Sequence, residues 1–163
     1  MKKLLLLIVG FGCFNGSIQA QQNAASIYAG IKKLGVMGSV LYIAAHPDDE
    51  SLGMAGTIYN YTKKGNQVDV LFLSSGVGSR DVPRENVESR KEAATKALKL
   101  LGCGQVFFGD YPDNAFDLVG LLNISKFIET YIDKFQPKIV YTNYYGDLNI
   151  DHRITAEATL VAT

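Results

Sequence analysis

The stretch that organises this chain is residues 39–50, SVLYIAAHPDDE. Its apolar first half predicts a buried β-strand, and its polar second half precedes a helical pattern. Between the strand and the helix lie one histidine and three carboxylates: His46, Asp48, Asp49 and Glu50. In open α/β sheets this edge is where ligands bind, and imidazole and carboxylate are ligands of catalytic zinc. The stretch therefore predicts half of a metal site.

The same order of strand and helix repeats along the chain. Apolar runs predict strands at 39–45, 68–73, 105–108 and 138–142, and helical spacing predicts helices at 51–64, 84–101, 118–135 and from His152 onward. Regular alternation favours a parallel sheet with helices on both faces, so we expect one Rossmann-like α/β domain over residues 38–163. A sheet order of 3-2-1-4 would make the first and fourth strands neighbours at a switch-point crevice. The last helix reaches Thr163 without a capping pattern, so we expect the domain to be C-terminally truncated.

The first 20 residues have the pattern of a signal peptide. Two lysines open the segment, an apolar run follows, and a cleavage site ends at Ala20. We expect export, to the periplasm or outside the cell, after cleavage near Ala20; lipid attachment at Cys13 and an uncleaved or cytosolic chain are the alternatives. Residues 21–37 would then form an N-terminal helix and lead-in. The mature chain would keep one cysteine, Cys103, which is too few for an internal disulfide.

Composition and charge restrict the partners that we expect. Hydrophobic residues make up 47% of the chain, enough for a sizeable core in one domain. Basic and acidic residues are equal in number, 16 each, so the net charge gives no electrostatic reason to expect nucleic acid or an anionic membrane. The apolar run at 4–14 is too short to span a bilayer. We therefore expect neither nucleic acid nor a membrane span, and the oligomeric state stays open.

Both histidines of the chain, His46 and His152, lie in loops that follow predicted strands. A catalytic zinc ion takes three protein ligands and a water. His46, Asp49 and His152 supply three ligands if the first and fourth strands are neighbours. Another divalent cation is an alternative to zinc. Asp48 is the natural general base, because it is a carboxylate beside the centre without being a ligand. Each feature also has a purely structural interpretation: an acidic helix cap with a chance histidine at 46–50, and a half-buried histidine at a helix start for His152. The joint placement of the two histidines favours the metal site.

Two motifs resemble those of the PIG-L/LmbE-like zinc-dependent N-deacetylases. The motifs are AHPDDE at 45–50 and GDLNIDHR at 146–153, and the stretches at 76–80, 112–114 and 116–117 also look like family segments. The resemblance covers residues 38–163. It implies that His46, Asp49 and His152 bind zinc and that Asp48 is the general base. It also implies hydrolysis of an N-acyl group, usually the N-acetyl group of an amino sugar such as GlcNAc in a glycan or glycoconjugate.

The same resemblance implies contacts with a small-molecule or glycan substrate. Arg80 corresponds to a sugar or phosphate contact, and Asp113 and Asn114 correspond to contacts with hydroxyl groups. Many members have a second histidine three residues before the distal ligand, whereas here Asn149 stands in that place. Asn149 can donate a hydrogen bond to a substrate but cannot transfer a proton.

Two other functions remain as alternatives. A catalytically impaired, metal-bearing carbohydrate-binding domain would account for the asparagine at position 149 and for the abrupt end of the chain. A nucleotide-binding Rossmann domain is disfavoured, because no Gly-x-Gly-x-x-Gly follows the first strand.

Overall fold

A computed structural model describes the strand at residues 5–8, then residues 38–78 and 87–163. The helix predicted within residues 21–37 and the side chain of Arg80 lie outside these ranges. The described residues form one five-stranded sheet with packed helices on both faces.

All strands of this sheet are parallel. They are β1 Leu5–Ile8, β2 Val40–Ala44, β3 Val68–Ser74, β4 Val106–Tyr111 and β5 Ile139–Thr142, in the order β1-β5-β2-β3-β4. The strands from β2 onward therefore have the predicted order 3-2-1-4, and the Rossmann-like prediction is confirmed. β1 adds an outer strand, with Leu5 opposite Ile139 of β5. It lies inside the predicted signal peptide, whose cleavage and export stay predictions.

The central strands β2 and β3 are buried along their whole length because helices cover both faces of the sheet. Strands of this kind are recognisable in sequence as nearly continuous apolar runs. Their side chains point alternately to the two faces. On one face Tyr42 belongs to a core cluster with Ile58 and Leu98, and on the other Ile43 belongs to a cluster with Ile128.

The helices agree with the predicted pattern, with two changes at their boundaries. A π-helical turn Glu50–Met54 leads into α1 Ala55–Thr62, and α2 Val87–Leu100, α3 Phe116–Val119, α4 Leu121–Phe135 and α5 Ile150–Ala162 follow. The predicted helix at 118–135 is divided, because Gly120, with a φ of 88°, separates α3 from α4. The last helix begins earlier than predicted, since Asn149 caps it by accepting a hydrogen bond from the backbone N–H of Asp151. Among the described residues, no helix is both long and apolar enough to cross a membrane.

The carboxyl ends of β2 and β5 bring two distant loops together. Asn143 lies directly after β5, and its Oδ1 accepts a hydrogen bond from the backbone N–H of Ala45 at 3.0 Å. The carbonyl oxygen of Ala45 accepts another from the backbone N–H of Ser74, at the end of β3. The loop that carries the first motif is therefore held against its neighbours on both sides.

Candidate metal centre

His46, Asp49 and His152 lie together at the carboxyl edge of the sheet, where β2 and β5 are neighbours. One possible ligand atom from each lies within 4.8 Å of the other two. The Nε2 of His152 is 3.2 Å from Oδ1 of Asp49, and the centroids of the two imidazole rings are 5.5 Å apart. The structure thus brings together the three residues that the sequence proposes as ligands, and their role in binding a metal stays a prediction.

Asp49 is oriented so that one carboxylate oxygen faces His152. Its other oxygen, Oδ2, accepts hydrogen bonds from the backbone N–H of His46 at 3.0 Å and from Nδ2 of Asn143 at 3.1 Å. Burial disfavours the charged form, but the interactions with His152, His46 and Asn143 hold the pKa of Asp49 below its usual value. Oδ1 therefore faces His152 as an ionised oxygen.

His152 has a carboxylate beside each ring nitrogen. Its Nδ1 is 3.0 Å from Oδ2 of Asp147, and its Nε2 faces Asp49. Burial alone would lower its pKa, but the hydrogen bonds and charges of Asp49 and Asp147 raise the pKa of His152 to about 9. A neutral imidazole has only one N–H, so it cannot donate to both Asp147 and Asp49. When the N–H is on Nδ1, the lone pair of Nε2 faces the carboxylate of Asp49, and a second proton or a cation must lie between them. A divalent cation satisfies both atoms, and these residues therefore fit a metal centre.

His46 contacts two further carboxylates through one ring nitrogen. Its Nε2 is 2.9 Å from Oδ2 of Asp151 and 3.2 Å from Oδ1 of Asp113. Asp151 is fully buried, and its oxygens also accept backbone N–H bonds from Asn114 at 2.6 Å and from Phe116 at 3.0 Å.

The group His46, Asp113 and Asp151 also has ligand atoms close enough to hold a cation. Both oxygens of Asp151 are already engaged by backbone N–H groups, however. We therefore assign Asp151 to the orientation of His46. A proton on Nε2 is then donated to Asp151, and Nδ1 keeps the lone pair that a metal requires.

Asp48 lies beside the three candidate ligands in a strained backbone conformation. Its φ is 138°, a value that non-glycine residues rarely adopt and that costs about 1–3 kcal/mol. Its backbone N–H donates to Oε2 of Glu50 at 2.9 Å, and Nη2 of Arg90 donates at 3.2 Å both to its Oδ2 and to the carbonyl oxygen of Pro47. Partial burial and the charge of Asp49 raise its pKa, against the opposing charge of Arg90. The side chain is 54% exposed, so a substrate can reach it.

The predicted substrate contacts occupy different positions relative to the centre. Asp113 lies against His46. Asn114 is exposed with a φ of 58°, and its backbone N–H donates to Oδ2 of the buried Asp151, which also contacts His46. Asn149 uses its Oδ1 to cap α5, so its Nδ2 is the group suited to a ligand. Arg80 lies outside the described residues, and all four substrate roles stay predictions.

Four residues of the centre had no assigned role in the sequence: Arg90, Asn143, Asp147 and Asp151. Asp147 and Asp151 belong to the second motif, so the motif itself was a signal that could have found them. Arg90 contacts Asp48 from 42 residues away, and Asn143 contacts Asp49 from 94 residues away. Periodicity and spacing do not predict contacts at such separations.

Comparison with known proteins agrees with the family resemblance of the two motifs. The profile of the PIG-L family, described as GlcNAc-PI de-N-acetylase, matches residues 41–163. The chain is 29% identical over 128 residues to the uncharacterized deacetylase YaiS of Escherichia coli, covering 76% of this chain and 66% of that protein. It is 33% identical over 105 residues to the diacetylchitobiose deacetylase of Thermococcus kodakarensis, covering 62% and 39%.

A solved structure has the same fold. The N,N′-diacetylchitobiose deacetylase of Pyrococcus horikoshii, solved with an inhibitor, superposes with a TM-score of 0.71 at 20% identity over 93% of this chain and 60% of that one. The chain spans less than two thirds of the length of these relatives. Because the family profile matches most of the chain and both motifs meet at one edge of the sheet, the chain belongs to the PIG-L (LmbE-like) family.

Proposed function

We propose that this protein is a zinc-dependent deacetylase that removes the N-acetyl group from an amino-sugar substrate, such as a GlcNAc-containing glycan or glycoconjugate. The observation that carries the proposal is the convergence of His46, Asp49 and His152 within 4.8 Å. Asp48 directly precedes Asp49 in the chain and interacts electrostatically with Asp49 and His46. Two imidazoles and one carboxylate are a ligand set typical of catalytic zinc. The amino-sugar class is supported by the relatives whose names give diacetylchitobiose as their substrate.

Zinc held by His46, Asp49 and His152 would polarise the acyl carbonyl and make a nearby water more acidic. Asp48 acts as the general base and takes the proton of the attacking water. Its Oδ2 is engaged by Arg90, so Oδ1 is the atom that holds this proton.

Collapse of the tetrahedral carbon requires a proton on the leaving amine. Asn149 cannot supply one, because an amide is not an acid at neutral pH and its Oδ1 is used to cap α5. Asp48 therefore returns the proton that it took from water, and a single carboxylate serves both steps. The bond from Arg90 keeps that carboxylate in one orientation between them.

The proposal is tested by measuring bound zinc and acetate release for the wild type beside Asp48→Asn. N-acetylglucosamine and N,N′-diacetylchitobiose are suitable first substrates. We expect the variant to keep its zinc and to lose about 10²–10⁴-fold in kcat, the usual contribution of a general base. Asp133→Asn, at an exposed position of α4, is the matched control and should behave as the wild type.

Two results would contradict the assignment. If Asp48→Asn lost its zinc, Asp48 would be a ligand; if its kcat stayed within a few-fold of the wild type, another group would be the base. A wild type that binds zinc and amino sugars but releases no acetate would favour the second candidate, a metal-bearing carbohydrate-binding domain. That candidate is motivated by Asn149, which occupies the place of a proton-transferring histidine.

A further inference from the structure

The loop between β5 and α5 contains a carboxylate, Asp147, whose contact with His152 the reaction above does not use. Oδ2 of Asp147 is 3.0 Å from Nδ1 of His152, and both side chains are about one-fifth exposed. The pair is local in sequence, because only five positions separate the two residues. It lies on the side of the imidazole ring that faces away from Asp49.

Asp147 is itself held in place by its own loop. Its Oδ1 accepts the backbone N–H of Asn149 at 2.9 Å, and its carbonyl oxygen accepts Nη1 of Arg153 at 2.9 Å. Its backbone N–H donates to the carbonyl oxygen of Tyr144 at 3.2 Å. With one carboxylate oxygen bound to the loop, the other stays directed at His152.

This arrangement selects one form of the imidazole ring. A carboxylate oxygen can only accept, so the nitrogen that faces Asp147 must carry a proton. In a neutral ring the lone pair is then on Nε2, which faces Asp49. Histidine ligands of metals are commonly oriented in this way by a carboxylate at the other ring nitrogen.

We propose that Asp147 is the positioning residue of His152, and that it sets the affinity of the centre for zinc by holding the ring in the tautomer whose Nε2 can bind a cation. This inference rests on the proposed function, because it requires His152 to be a metal ligand. The competing interpretation is that Asp147 only stabilises the loop between β5 and α5.

Asp147→Asn separates the two interpretations. The asparagine oxygen can keep the bond to the backbone of Asn149, but its NH₂ group then faces Nδ1 of His152 and donates to it. That contact favours the opposite tautomer, with a proton on Nε2 and no lone pair toward Asp49. A residue that only stabilised the loop would tolerate this change, whereas a positioning residue would not.

The experiment measures zinc affinity of the full chain by competition with a chromophoric chelator, with cobalt substitution to record the absorption spectrum of the centre. We expect Asp147→Asn to bind zinc about 10–100-fold more weakly than the wild type, with an altered cobalt spectrum. Asp133→Asn, at an exposed position of α4, is the control for the same change of charge. The urea midpoint of the chelator-treated variant shows whether it folds, and Asp147→Ala repeats the test if it does not.

Each result decides the question. Zinc affinity within threefold of the wild type in Asp147→Asn would overturn the inference and leave the metal centre standing. An equal loss in the Asp133→Asn control would also overturn it, because the loss would then come from charge alone. A wild type that binds no zinc would overturn both the inference and the proposed function. In a His152→Ala background, Asp147→Asn should cause no further loss of affinity, and a further loss would contradict action through His152.

Discussion

Two aspartates, Asp151 and Asp69, are buried to the same degree at opposite ends of the sheet. Asp151 is 0% exposed near the carboxyl edge, and Asp69 is 1% exposed near the start of β3. Each has hydrogen bonds to both carboxylate oxygens, as a buried charge requires. Asp69 accepts the backbone N–H of Gln105 at 2.7 Å on Oδ1 and Nε2 of Gln67 at 2.7 Å on Oδ2.

The difference lies in what the two carboxylates face. Asp69 is bonded to a backbone amide and to a side-chain amide, while Asp151 is bonded to two backbone amides and to an imidazole. Burial of a carboxylate therefore does not by itself indicate a functional site. Within the described ranges, only the carboxyl edge places carboxylates around imidazole nitrogens that could bind a cation. Substitution of each aspartate by asparagine makes the comparison testable.

The largest effect is expected for Asp151→Asn. Both oxygens of Asp151 accept backbone N–H groups, which cannot turn around, so one N–H would face the new NH₂ group. The variant would bury a backbone N–H without an acceptor and would lose the negative charge of Asp151 beside His46. Together these changes should lower the free energy of unfolding by about 3 kcal/mol. Urea unfolding in the presence of chelator measures this loss. A loss below about 1 kcal/mol would mean that Asp151 does not tie His46 to the loop at Asn114.

A smaller effect is expected for Asp69→Asn. The asparagine oxygen can keep the bond from Gln105, and the side-chain amide of Gln67 can rotate so that its oxygen accepts from the new NH₂ group. The free energy of unfolding should therefore change by no more than about 1 kcal/mol, and zinc affinity should not change. A loss as large as that of Asp151→Asn would show that burial alone, and not the partners, sets the cost.

The smallest effect concerns Cys103, which lies near Asp69. Burial and then the charges of Asp69 and Glu50 raise the pKa of Cys103 to about 12. The reactive thiolate is scarce at pH 8, so iodoacetamide should alkylate the folded protein at least about tenfold more slowly than the urea-unfolded chain. Asp69→Asn removes one of the raising charges and should increase the folded rate modestly. Equal rates for the folded and unfolded wild type would contradict the raised pKa.

Sequence reasoning predicted the sheet order and the three residues that meet at its edge. It did so because strand and helix periodicities are local, and because parallel strands all direct their carboxyl ends to one edge. Its prediction of one continuous helix over 118–135 was wrong, because the φ of 88° at Gly120, where the structure divides this helix, is a backbone property that helical spacing does not reveal. It assigned Asn149 to substrate binding without its role as the cap of α5.

Sequence reasoning could not predict the contacts that Asp151 and Arg90 make with distant residues of the centre. Asp151 contacts His46 across 105 positions, and Arg90 contacts Asp48 across 42. Gly76 gives an example of the packing involved: a Cβ there would lie 3.2 Å from Nε of Arg90 and 3.3 Å from Cδ of Pro47. Such close approach depends on how α2 crosses the loop after β2, and no pattern along the chain encodes it.

The sequence by itself determined which residue types lie at the ends of the strands, and therefore which chemistry this edge can perform. Tertiary structure alone decided which carboxylates surround each histidine, and so which ring nitrogens are left for a metal. The physical reason is that side-chain periodicity follows from the local backbone geometry of each strand and helix. The contacts of Asp113, Asp151 and Arg90 instead depend on how distant elements pack once the sheet has formed.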